Sequence, residues 1–131
     1  MYRIAFLIAI VSMCFISASA VKQTQSPLSK LMKTMAADMK KARVSVLEGK
    51  KPKNFGKHYD RIQTAAPSSE AKKGEHFQEY ATSFLTQMER MQQASPETAK
   101  VEFNALSKTC IRCHESYCPG PISMLRKLQV P

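Results

Sequence analysis

The chain predicts an all-α fold, an antiparallel up-down-up-down four-helix bundle, and three observations carry that expectation. Apolar residues recur at steps of three and four along four separate stretches. Proline, glycine or serine punctuates the ends of each stretch and leaves only short connections. No stretch shows the strict alternation of a half-buried strand. Short loops make consecutive helices antiparallel neighbours, which is the up-down arrangement.

Residues 1–20 stand outside this pattern. Arg3 supplies a positive start, the run 4–16 is apolar but short for a membrane span, and Ala18-Ser19-Ala20 has the small-residue spacing of a cleavage site. The expectation is a cleaved secretory signal peptide, which removes Cys14. A single domain over 21–131 follows, with no later stretch long and apolar enough to span a bilayer.

The first helix is expected over 27–48. Ser26 suits an N-cap and Pro27 the first helical position, and Leu28, Met32, Met35, Met39, Ala42 and Val46 form its stripe. Gly49 stops it. The second, over 54–66, carries Phe55, Tyr59, Ile62 and Ala66 before the break at Pro67. The third, over 70–94, carries Phe77, Tyr80, Phe84, Met88 and Met91. The fourth, over 96–117, carries Ala99, Phe103, Leu106, Cys110, Cys113 and Tyr117, and Cys118-Pro119-Gly120-Pro121 ends it. Residues 122–131 form a basic-apolar tail, either folded over a cofactor edge through Ile122, Leu125 and Leu128 or frayed.

The sharpest chemical signal is Cys110-Ile111-Arg112-Cys113-His114. This C-x-x-C-H spacing is the attachment signature of one covalent haem c. On a helix the two cysteines and the histidine share a face. Cys110 and Cys113 can then each add a sulfur to a haem vinyl group, and His114 can present its imidazole to the iron. Two rival readings of the pair are a zinc site and dithiol chemistry. A structural zinc needs four ligands, with Cys118, His58 and His76 the remaining candidates, and a thioredoxin-like pair expects a βαβ setting that the chain lacks.

With the motif late on the last of the four helices, the chain resembles a class II c-type cytochrome of the cytochrome c-prime family, in its low-spin, methionine-ligated type. The Leu31-Met32-Lys33 run early in the first helix and Tyr117, three residues after the histidine, match it as well; Cys118-Pro119-Gly120-Pro121 departs from it. The resemblance implies haem near the end of the last helix, Tyr117 packed on it, and bundles that pair as homodimers. It also implies a methionine ligand in the first helix, and depth in an antiparallel bundle agrees. His114 lies about one turn from the end of the fourth helix and Met32 about one turn from the start of the first. Met32 is thus the expected distal ligand. His58 falls at the far end of the bundle, and His76 sits beside the seam residue Phe77 rather than on it.

The function these features predict is one-electron transfer with His114/Met32 ligation, in a bacterial periplasmic protein that is not an enzyme. No paired-carboxylate, nucleophile-base or phosphate-loop motif is present. The alternative is a five-coordinate protein that binds nitric oxide or carbon monoxide. The formal charge of +10 reads as solvated helix faces or as steering toward a redox partner with an acidic surface. An exported chain without a recognition motif is not expected to bind nucleic acid. Cys118 is left over from the motif and is free to pack or to link two chains.

Overall fold

The computed structural model describes residues 25–68 and 74–131. The expected signal peptide, and the expected start of the third helix at 70, lie outside the described residues. Among the described residues the chain is all-helical: four α-helices, one short 3-10 helix and no strand. None of these helices is long and apolar enough to cross a membrane.

Helix α1 spans Pro27–Leu47. Its start is as the sequence predicts, with the Ser26 hydroxyl accepting from the Ser29 amide at 3.1 Å and Pro27 in the first turn. Gly49 adopts φ +69°, its amide donates to Val46 and the Lys50 amide donates to Ser45. These two bonds are a Schellman stop, and they satisfy carbonyls the last turn would otherwise leave open. Met35, Met39, Ala42 and Val46 form the buried stripe.

The expected second helix over 54–66 does not form. Asn54, Gly56 and His58 all have positive φ, so every second residue at its start leaves the right-handed region. Gly56 is also where a Cβ would run into the Met88 side chain, so the backbone must approach closely. Only a 3-10 turn at Tyr59–Ile62 remains. Of the expected stripe, Tyr59 and Ile62 are buried at 2% and 3% exposed, Phe55 is half-buried and Ala66 is exposed.

Helix α2 spans Phe77–Gln93 and α3 spans Ala99–Tyr117. Between them Ser95 and Thr98 bond reciprocally: the Ser95 amide donates to the Thr98 hydroxyl oxygen at 3.0 Å and the Thr98 amide to that of Ser95 at 3.4 Å. This reciprocal pair is a capping box with Ser95 as the expected cap, the Ala99 amide already bonds the Ser95 carbonyl at 2.9 Å, and the regular helix follows three residues beyond the expected start. Tyr80 meets Ser116, and Gln87 meets Glu102, so rising numbers on α2 face falling numbers on α3 and this pair is antiparallel.

The tail is neither frayed nor irregular. Residues Ile122–Leu128 form α4, which buries Leu125 and Leu128, with Val130 buried just beyond it. Asn104 of α3 grips the end: its amide donates to the Val130 carbonyl and its oxygen accepts from the Val130 amide, both at 2.9 Å. Ser107, fully buried, donates to the Leu125 carbonyl at 3.2 Å. Arg126 is paired with Glu115 at 3.6 Å.

Candidate cofactor site

A cavity of about 390 Å³ opens between these elements, and its lining is predominantly apolar. The volume is in the range of small-molecule and cofactor sites. Cys110, Cys113, His114 and Tyr117 reach it from α3, and Met32 from α1. All five residues singled out in the sequence therefore line one space. Neither His58 nor His76 does. His58 is exposed in a left-handed turn, and His76 is exposed beside Glu79 at 3.3 Å.

Helical geometry places the three motif residues together. Cys110, Cys113 and His114 stand at i, i+3 and i+4 on α3, so one face carries both thiols and the imidazole. Burial pushes the Cys110 thiol up to about 12, and the neighbouring Cys113 adds to this. Cys113 is raised as well, first by burial and then by Cys118. Both thiols therefore stay protonated at neutral pH.

His114 is held by its own helix end. Its Nδ1 lies 2.8 Å from the Cys118 carbonyl oxygen. A carbonyl can only accept, so this bond requires the proton on Nδ1, and in the neutral ring the lone pair is then on Nε2. Cys118 is the C-cap of α3, with non-helical backbone and its amide donating to the His114 carbonyl. The proline-glycine sequence that ends the helix thus turns a carbonyl back onto the imidazole.

Aromatic packing fixes Tyr117. Its ring meets Phe77 and Tyr80 edge-on, each at 5.9 Å between centroids. It also occupies the space a side chain at position 74 would need, which Gly74 leaves open.

Several lining residues were read from the sequence only as core. Met35 and Met39 join Met32 from α1, and Phe77 and Phe84 come from α2; from α4 come Leu125, which the sequence placed at a cofactor edge or in a frayed tail, and Met124, which it did not single out. Helical spacing marks Met35 and Met39 as buried but carries no sign of which buried residues border a void. Tyr59 is the least expected. It is 2% exposed, and its hydroxyl donates to Asp38 at 2.9 Å. Burial and the Asp38 carboxylate both raise its pKa above the ordinary value.

Among the described residues no three His, Cys, Asp or Glu side chains converge to hold a bare metal ion. A haem iron, already held by its porphyrin, needs only one or two protein ligands. Comparison with protein-family models, curated proteins and solved structures finds no match to this chain.

Proposed function

We propose that the chain is an exported one-electron carrier of the class II c-type cytochrome kind. The observation that supports this most is that Cys110, Cys113, His114, Tyr117 and Met32 border a single apolar cavity. The donor set suits covalently attached haem: two protonated thiols on one helical face, an imidazole with Nε2 free, and walls of Met, Leu and Phe. Haem bound there would supply a ferrous/ferric couple.

In this reading Cys110 and Cys113 carry the thioether links, and His114 offers Nε2 as the proximal ligand. The Cys118 carbonyl orients that ring and fixes its tautomer, as partners of ligating histidines do. Met32 offers the distal sulfur. Its half-buried position supports this choice over Met35 and Met39, which are 6% and 3% exposed and packed into the core. Phe77, Phe84 and Tyr117 keep water from the site. The helices form the antiparallel bundle, with the cofactor near the end of α3. The chain passes electrons in the periplasm to a partner with an acidic surface, drawn by the net positive charge.

The test is the absorption spectrum of the matured protein in both oxidation states, with a pyridine haemochrome assay. The expected result is one covalent haem per chain and a low-spin ferric spectrum with a weak far-red band from sulfur-to-iron charge transfer. Colourless protein refutes the cofactor. A high-spin ferric spectrum keeps the cofactor and replaces electron transfer with the capture of nitric oxide or carbon monoxide.

A further inference from the structure

On the outer side of α2 and α3 lies a second concavity, of about 440 Å³. Its character is opposite to that of the cofactor cavity. Arg90 of α2 and Lys108 and Arg112 of α3 line it, together with the hydroxyls of Ser83 and Thr86. The residues follow helical spacing, with Ser83, Thr86 and Arg90 on one wall and Lys108 and Arg112 one turn apart on the other. One turn on α3 separates the Lys108 and Arg112 backbones by about 6 Å.

The antiparallel pairing orders this groove. The bond between Tyr80 and Ser116 lies beyond one end, and the bond between Gln87 and Glu102 lies toward the other. Ser83 is therefore level with Arg112, and Arg90 lies at the opposite end. Two regular helices tied together on both sides form a firm frame for the side chains that line it.

Among the described residues none of the three cations has an ion-pair partner; the ion pairs there involve Lys41, Lys50, His76 and Arg126. Glu102, on the same stripe of α3, is held instead by the Gln87 amide at 2.6 Å. Lys108 and Arg112 at i, i+4 repel each other, so the arrangement costs the helix stability rather than adding to it.

We propose that this groove binds a small multivalent oxyanion, a phosphate chain or a polycarboxylate. Guanidinium groups bind planar or tetrahedral oxyanions through paired N–H donors, and an ammonium adds a point charge. The Ser83 and Thr86 hydroxyls supply neutral donors to the same oxygens. Cations and hydroxyls lining one concavity along its length fit a small multivalent anion better than a broad acidic protein surface, which needs only scattered charge. The proposal stands whether or not the other cavity holds haem.

Isothermal titration of the matured protein with inorganic pyrophosphate, and separately with citrate, tests it. The variant is Arg90→Gln with Lys108→Gln; Arg112 is left intact because it lies between the two cysteines of the motif. Lys40→Gln with Lys41→Gln removes the same charge from α1. All four side chains are exposed, and equal melting curves verify folding. The expected result is saturable binding of at least one probe, weakened roughly tenfold or more by the groove variant and little changed by the α1 variant. Tighter pyrophosphate binding assigns a phosphate chain, and tighter citrate binding assigns a polycarboxylate. The proposal fails if neither probe saturates at an ionic strength of about 0.15 M, or if both variants weaken binding equally.

Discussion

His114 Nδ1 and the Cys118 carbonyl oxygen stand 2.8 Å apart, so the last turn of α3 holds its own imidazole in one tautomer. The contact uses the main chain of Cys118 and not its sulfur, which is exposed. Cys118→Ser should therefore leave the His114 ring resonances and the absorption spectrum unchanged, while abolishing any dimer seen on a non-reducing gel. A shift in the His114 resonances would show that the sulfur takes part in the site.

Two methionines on α1 separate the proposed ligation from packing. Met39 is 3% exposed, and Met39→Ala should cost about 2–5 kcal/mol through lost burial and a residual cavity. Met32 is only half-buried, so Met32→Ala should cost about 1 kcal/mol of packing in the haem-free chain. If the proposed haem is bound with Met32 as a ligand, the far-red band should vanish with Met32→Ala and persist with Met39→Ala. Loss of the band in Met35→Ala or Met124→Ala, with Met32→Ala unaffected, would move the distal ligand to another residue of the cavity wall.

Tyr59 gives stability an alkaline limit. Its pKa is raised in the fold by burial first and by Asp38 second. Above pH of about 10 an unfolded tyrosine loses its proton while Tyr59 keeps it, so the unfolded state binds fewer protons and stability falls as pH rises. The contribution is fully present below that pH. Tyr59→Phe removes the hydroxyl and its bond to Asp38, which should cost about 1.5–3 kcal/mol at neutral pH. It should also flatten the decline above pH of about 10. Denaturant titrations across alkaline pH check both effects, and parallel slopes for the two proteins would contradict the second.

Asn104 is the clasp of the carboxy-terminal segment. Asn104→Ala removes both of its bonds to Val130 and should cost about 1–3 kcal/mol. The loss should be local. Amide exchange should quicken over 122–130 while the α2 and α3 amides keep their protection. Uniform loss of protection would show that α4 and the rest of the fold open as one unit.

The helices were legible wherever local signals agreed. Ser26, Pro27 and Gly49 marked the ends of α1, and the spacing of Met35, Met39, Ala42 and Val46 marked its buried face. At 54–66 the same spacing predicted the burial of Tyr59 and Ile62 correctly, but Ala66 is exposed and the conformation was predicted wrongly. Tyr59 and Ile62 are buried, yet the residues ahead of them turn left-handed. Apolar spacing records which side chains leave water and is blind to a backbone route set by contact with Met88, more than thirty residues away.

Chemistry spaced within one helical turn was open to reading from the chain alone. Cys110, Cys113 and His114 share a face because the helix repeat requires it, and no distant residue has a say in that. What surrounds that face depended on the folded molecule. The tertiary structure brought Met32 from α1, Phe77 and Phe84 from α2 and Met124 from α4 to one cavity, turned the Cys118 carbonyl onto His114, and anchored the tail at Asn104. Local geometry follows from covalent repeat and so is written in order along the chain. A void or a clasp exists only where segments far apart in sequence pack against one another, and that packing is a property of the whole fold.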